Sequence, residues 1–224
     1  MNKNIKRILA VLLAVLLGIG MMAGCAKEEA VEQDQEPTLD EIMDMYFGPL
    51  KEYTEDQLLT GLHHVEMDIE GKGTIKIELD ADQAPISVTN FVEMVESGYY
   101  DGLTFHRVLT GSLIQGGSPS GDGMSGKEFR IKGEFAANGV ENNISHVRGT
   151  ISMARASAAD SGSTQFFIMS ADETGYDGQY AGFGRVISGM EIVDDICNNT
   201  AVQDGNGTVA AEDQPVITAA RVID

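Results

Sequence analysis

Two alternating runs joined by a glycine turn constrain this chain more than any other feature. Val65, Met67 and Ile69 alternate with Glu66, Asp68 and Glu70, and Ile75, Ile77 and Leu79 alternate with Lys76, Glu78 and Asp80. Gly71-Lys72-Gly73 stands between them. A period of two gives an extended chain one apolar and one polar face, and a short glycine turn folds such runs back on each other. The reading is a β-hairpin whose apolar face needs a core. Downstream, short apolar segments are separated by glycines, of which the chain has 26, and this pattern favours turn-rich, mainly β structure over a helix bundle. Pro85 opens a helical segment with Val88, Phe91, Val92 and Val95 on one side and Gly98 as its stop. Residues 192–198 read as a second helix and 216–223 as a closing strand. No internal repeat is visible.

Upstream of the hairpin, Thr38 with Glu41 three residues on forms a capping box, and Leu39, Ile42, Met43, Tyr46 and Phe47 follow at helical spacing. Gly48-Pro49 ends that helix. A second short helix is expected over 54–62, with Leu58, Leu59 and Leu62 on one face. Residues 38–61 therefore read as a helical extension that packs on the following domain or on a partner. Residues 62–224 form the main domain.

The N-terminus reads as an export signal: Lys3, Lys6 and Arg7, then an apolar stretch over 8–19. That stretch falls short of the roughly 20 residues that span a membrane. Met22-Ala23-Gly24-Cys25 resembles the lipobox of bacterial lipoprotein signal peptides. The resemblance implies removal of 1–24 and lipidation of Cys25. Residues 25–37 would be an acidic tether, and the body would be anchored outside the cytoplasm on the bacterial cell membrane. With Cys25 used, Cys197 has no intramolecular partner and reads as a buried apolar residue. The two cysteines exclude a disulfide scaffold. A formal charge of −20, from 35 acids against 15 bases, excludes a duplex nucleic-acid binder. The 42% of hydrophobic residues excludes wholesale disorder.

Four motifs carry a family resemblance. They are Tyr100-Asp101-Gly102-Leu103-Thr104-Phe105-His106-Arg107-Val108 with Gln115-Gly116-Gly117; 146–155, HVRGTISMAR; Gln165-Phe166-Phe167-Ile168; and Asp177-Gly178-Gln179-Tyr180 with Phe183-Gly184-Arg185-Val186. In this order and spacing they resemble the cyclophilins, which are peptidyl-prolyl cis/trans isomerases. The resemblance implies a closed eight-stranded antiparallel β-barrel capped by two helices. Its substrate groove would lie on the outside, because the lumen of a small barrel is filled by side chains.

An X–Pro bond rotates over a barrier of about 18–20 kcal/mol, and catalysis needs only that the twisted state be favoured over both planar ones. A fixed donor facing the prolyl nitrogen and an apolar pocket for the ring suffice; no cofactor or metal is expected. Arginine suits the donor role because it stays charged and presents a rigid fork. By the resemblance, Arg107 is the catalytic arginine, and Gln115 binds a substrate carbonyl and orients it. Leu113, Phe167 and Tyr176 wall the proline pocket. Ala154, Arg155 and Gln165 contact substrate backbone, and Tyr180 bonds near the proline. Ser112 stands where the family usually has a pocket phenylalanine, which implies a weakened pocket. Gly175 stands where some members have tryptophan, which implies poor cyclosporin binding. His106 reads as a structural hydrogen-bonding residue, and His63 and His64 as pointing to opposite faces of a strand. The expected partners are proline-containing unfolded or exported polypeptides and, through Cys25, the membrane, with the protein a monomer. The alternative reading is a non-catalytic module that grips proline segments or other surfaces through a decayed pocket at Ser112.

Overall fold

The computed structural model describes residues 37–124, 126 and 128–224. The signal, the lipidation of Cys25 and the tether up to residue 36 lie outside the described residues. The expected hairpin forms as read: β1 (Leu62–Ile69) pairs antiparallel with β2 (Gly73–Asp80), with Val65 opposite Ile77 and Met67 opposite Ile75. All six apolar residues of the alternation are buried. The remaining strands are β3 (Thr104–Leu109), β4 (Leu113–Ser118), β5 (Thr150–Met153), β6 (Phe166–Met169), β7 (Gly182–Ser188) and β8 (Ile217–Val222). They form one sheet in the order β3-β4-β6-β5-β7-β2-β1-β8.

The sheet curls into a half-barrel, and the closure expected from the family is incomplete. Its two edge strands meet at one end only, where Ile217 N donates to Leu103 O at 2.8 Å and Phe105 N to Pro215 O at 2.9 Å. Further along, the outer edge of β3 is occupied by a loop: Val108 N donates to Gly207 O at 2.8 Å and Val209 N to His106 O at 3.0 Å. That loop satisfies backbone groups that β8 would otherwise pair, so no exposed edge remains there.

Among the described residues three helices accompany the sheet: α1 (Leu39–Phe47), α2 (Pro85–Glu96) and α3 (Met190–Asn199). The two expected caps are α2 and α3. Proline occupies the first turn of α2, and Val88, Phe91, Val92 and Val95 face the core. The free amides of its first turn are met by Glu134, whose carboxylate accepts from Ile86 N at 2.9 Å and Ser87 N at 2.7 Å. Burial raises the Glu134 pKa against the pull of those hydrogen bonds. Phe91, Tyr100, Phe105, Phe166 and Phe183 fill the core, with Phe91 edge-on to Phe166 at 5.4 Å. Cys197 is fully buried.

In the extension, α1 forms with its capping box: Thr38 N donates to the Glu41 carboxylate at 2.7 Å and Glu41 N to Thr38 Oγ1 at 3.3 Å. The helix expected over 54–62 does not form. A single 3-10 turn, Glu55–Gln57, takes its place. The chain is pulled straight by the domain instead: Leu59 N donates to Thr89 Oγ1 at 2.9 Å and Gly61 N to Asp82 at 2.8 Å. Within β1, His63 sits opposite Leu79 and His64 opposite Glu78, on the two faces of the strand, and both rings reach Asp224, at 2.7 and 2.9 Å.

Candidate active site

One end of the sheet presents its outer face through β3, β4 and β6. Pairing sets Arg107 opposite Gln115 and Gln115 opposite Phe167. Two residues of one hairpin and a third 52 positions beyond Gln115 thus share one row across three strands. From that row a hydrogen-bond relay runs outward. Arg107 Nη1 donates to Gln115 Oε1 at 2.9 Å, Gln115 Nε2 to Gln165 Oε1 at 2.9 Å, and Gln165 Nε2 to Gly123 O at 3.1 Å. Each amide accepts on one side and donates on the other, which fixes its orientation.

Arg107 is held from a second side, where its Nε donates to Asn206 O at 2.8 Å. Asn206 belongs to the loop that edges β3. Asp204 shapes that loop, accepting from Asn206 N at 2.9 Å and Thr208 Oγ1 at 2.9 Å. Gly207 has φ +81° there, and a Cβ at this position would stand 2.1 Å from Val108 O, so only glycine lets the loop lie on the strand. Among the described residues nothing accepts from Arg107 Nη2. The guanidinium is therefore clamped by two of its groups and keeps a third donor for a ligand.

Beside Arg107 opens a cavity of about 260 Å³ walled by Leu113, Phe167, Tyr176 and Tyr180. Phe167 and Tyr180 meet edge to face at 5.6 Å, and Tyr176 and Tyr180 at 5.3 Å. Burial pushes the Tyr176 pKa up, with Glu173 and Tyr180 adding and Arg107 opposing, so its phenol stays neutral. Such an aromatic enclosure with Arg107 on its lip suits a small saturated ring attached to a polar backbone.

Behind Phe167 lies a buried chain of polar groups. His146 stacks on Phe167 at 5.9 Å, its Nδ1 is 2.9 Å from Asp177, and its Nε2 is 3.0 Å from Ser152 Oγ. The order of groups is that of a hydrolase relay, but Ser152 and His146 are both fully buried and no substrate reaches the hydroxyl. The chain instead ties β5 to the turn that carries Tyr176 and Tyr180. Burial lowers the His146 pKa against the pull of Asp177. Burial would raise Asp177, but hydrogen bonds from His146 and Ser145 outweigh it and hold the carboxyl below its usual range.

The residues read from the sequence divide as follows. Arg107, Gln115, Leu113, Ala154, Arg155, Phe167, Tyr176 and Tyr180 all line the cavity. Gln165 lies one relay step behind it and lines an adjoining trough. The Arg155 guanidinium sits 4.7 Å from the Tyr180 ring and 5.0 Å from Phe135, and donates to Gln179 O at 2.8 Å, so it braces the wall. Ser112 lines neither cavity. Its carbonyl accepts from Ser170 N at 2.7 Å, and its hydroxyl is buried without a partner. The aromatic faces are supplied by Tyr176 and Tyr180 instead. Ser112 lies in the turn between β3 and β4, directly before Leu113 of the cavity wall. Gly175 faces open space.

His106 is buried and lines the cavity. Burial and the neighbouring Arg107 charge lower its pKa against the pull of Asp122, Gln165 and Thr104, so it stays neutral. Asn206 was missed altogether. The only signal was the turn composition of 204–207, DGNG, which says nothing of where the turn docks.

A curled eight-stranded antiparallel sheet with two capping helices, an outer-face arginine held by glutamine and an adjoining aromatic cavity define the cyclophilin class of folds. Residues 64–222 match the family model described as cyclophilin type peptidyl-prolyl cis-trans isomerase/CLD. The chain belongs to this family of peptidyl-prolyl isomerases. It is 45% identical over 129 residues to peptidyl-prolyl cis-trans isomerase A of Dickeya dadantii, covering 55% of this chain and 66% of that protein. It is 38% identical over 136 residues to peptidyl-prolyl cis-trans isomerase B of Bacillus subtilis, covering 61% of this chain and 92% of that one. A crystal structure of a Cryptosporidium parvum cyclophilin type peptidyl-prolyl cis-trans isomerase superposes with a TM-score of 0.62 at 27% identity, covering 73% of this chain and 98% of that one. A second structure of that protein, in the presence of the dipeptide Ala-Pro, gives 0.62 at 28% identity, covering 72% of this chain and 99% of that one.

Proposed function

We propose that this isomerase turns over X–Pro bonds of exported polypeptides at the outer face of the membrane, held there by a lipid on Cys25. The observation that carries the catalytic part is the clamped Arg107 on the lip of the aromatic cavity. A prolyl ring seated against Leu113, Phe167, Tyr176 and Tyr180 is held still while the preceding residue rotates. As the bond twists, the prolyl nitrogen gains a lone pair, and Arg107 Nη2 donates to it. That interaction exists only in the twisted state, so it lowers the barrier without tightening ground-state binding. Gln115 does not react; it keeps Arg107 in place. No proton moves and no covalent bond is made or broken. The Ala-Pro dipeptide present with the Cryptosporidium parvum relative supports a proline-containing ligand here.

The export part is supported by the leader, the lipobox-like 22–25 and the acidic run that follows. Translocated chains arrive unfolded, and their X–Pro bonds equilibrate over tens of seconds without help, so a foldase placed there would act on a slow step. The alternative is a non-catalytic module that grips proline segments through a pocket weakened at Ser112, and it requires exchange no faster than in buffer.

NMR exchange on a short prolyl peptide tests the chemistry. Wild type should broaden the cis and trans signals, and Arg107→Ala should lower turnover by about 100-fold or more, as expected for removal of a preorganised donor. Equal exchange with both proteins would reject the mechanism. For the anchor, mass spectrometry of protein purified from membranes should find the N-terminus at Cys25 with acyl chains; an unmodified Cys25 would reject it.

A further inference from the structure

Helix α1 lies outside the residues that match the family, yet it borders the site. Next to the prolyl cavity is a larger trough of about 710 Å³. One bank is the end of α1 and the turn after it, from Asp44 to Pro49; the other includes Met124, Ser163 and Gln165. The trough and the prolyl cavity are continuous, because Gln115, Gly123, Ala154 and Arg155 line both.

The bank is anchored. Arg130, whose side chain is 5% exposed, donates to Asp44 at 3.0 Å and lies 3.8 Å from Asp40. Lys51 N donates to Arg130 O at 2.7 Å and Arg130 N to Pro49 O at 3.0 Å, a short parallel bridge that fixes the chain just past the helix. Gly48 packs against backbone so closely that a Cβ there would fall 2.5 Å from Glu128. The side chains facing the trough are nonetheless uncovered: Met45 is 75% exposed, Tyr46 63% and Met124 88%. Methionines on opposing banks are deformable apolar contacts that fit varied side chains, and tyrosine adds an apolar face with a polar tip.

We propose that α1, which the family match does not include, adds a bank to the substrate-binding surface, so that Met45 and Tyr46 contact the polypeptide stretch flanking the proline. This rests on the reading that the adjoining cavity holds that proline. The continuity of the two cavities selects the occupant, since a chain leaving the prolyl cavity past Gln115 and Ala154 enters the trough directly. Its backbone meets the polar groups of Gln165 and Ser163. Its side chains meet Met45, Tyr46 and Met124. Apolar flanking residues are favoured, and acidic ones are disfavoured by Glu128 on the lining.

The test is a fluorescence-anisotropy titration of the full chain with two labelled probes. One is a short prolyl peptide; the other has the same centre extended on both sides by apolar residues. Wild type should bind the long probe more tightly. The double variant Met45→Ala with Tyr46→Ala should lose about fivefold or more in affinity for the long probe, and far less for the short one, in the range seen for truncating a few exposed anchors. Asp44→Ala, which frees the helix without touching Met45, should reproduce that loss. Equal wild-type affinity for both probes, or equal loss on both in the double variant, would overturn the proposal. So would a sedimentation result in which the wild type is a dimer that the double variant dissolves, since a second copy would then occupy the trough. Phe167→Ala separates the two readings. If it leaves long-probe binding intact while the double variant destroys it, the trough stands and the prolyl reading fails. If Phe167→Ala abolishes binding of both probes and the double variant changes neither, the prolyl reading stands and the trough fails.

Discussion

Phe167 reaches the prolyl cavity from β6, a strand hydrogen-bonded on both sides, to β4 and to β5. Tyr46 reaches the trough from α1, a helix of nine residues with no buried side chain, attached by an ion pair and a turn. The two cavities share a border, but one is made by the core of the domain and the other is laid against it. A wall set by sheet register cannot move without unpairing strands, which suits a ring that must be held still during rotation. A wall held by a few polar contacts can open at low cost, which suits segments of varied sequence.

The comparison can be broken most directly at Phe167. Phe167→Ala empties a buried cluster with Leu113 and Met169, and urea denaturation should show a loss of about 3 kcal/mol, the usual scale for phenylalanine truncation in a core. A loss below about 1 kcal/mol would mean that the cavity wall is not part of the cooperative fold.

The next effect is local and lies on the other side. Asp44→Ala strands the buried Arg130 charge, whereas Arg130→Met removes charge and desolvation cost together. Hydrogen exchange at the amides of 39–47 should therefore rise more in Asp44→Ala than in Arg130→Met, with β6 protected in both. Faster exchange in β6 would show that the two walls are coupled.

Acid sharpens the contrast further. His146 has a folded-state pKa below its unfolded one, so the unfolded chain takes up the proton first. Its contribution is complete above the unfolded value of about 6.5 and is lost as pH falls through that value towards the lower folded pKa. His106 acts in the same direction. The depressed carboxyl of Asp177 also adds stability that acid removes, but only as pH falls below the ordinary carboxylate range. Thermal melts from pH 7 to pH 5 should show a declining midpoint, and His146→Gln should flatten the decline. An unchanged slope in that variant would place the acid sensitivity elsewhere.

The smallest effect expected is at Ser112. Ser112→Phe should leave prolyl-peptide turnover within about twofold if the wall of Leu113, Phe167, Tyr176 and Tyr180 is already complete. A clear gain in turnover would return this residue to the pocket.

Much of this was legible beforehand for a physical reason. The hairpin, α2, α3 and the closing strand are local patterns of period and punctuation, and they form where read. Arg107, Gln115 and Phe167 were recognisable because each sits inside a contiguous motif. The failures share a cause too. The helix expected over 54–62 had local spacing in its favour, but Thr89 and Asp82 take its amides across 30 and 21 positions of sequence. Barrel closure was expected from the family, but the loop at 207–209 had already claimed the edge of β3.

By itself the sequence determined an alternation that must bury one face, an acidity that excludes polyanions, and the motifs that place this chain among the isomerases. Only the tertiary structure decided that Asn206 clamps Arg107, that Arg155 braces the aromatic wall through Gln179, and that α1 borders the groove. Those outcomes depend on contacts between segments distant along the chain, such as Arg130 with Asp44 across 86 positions. Local residue patterns cannot encode them, because the energy that fixes such contacts exists only once the sheet has brought both ends together.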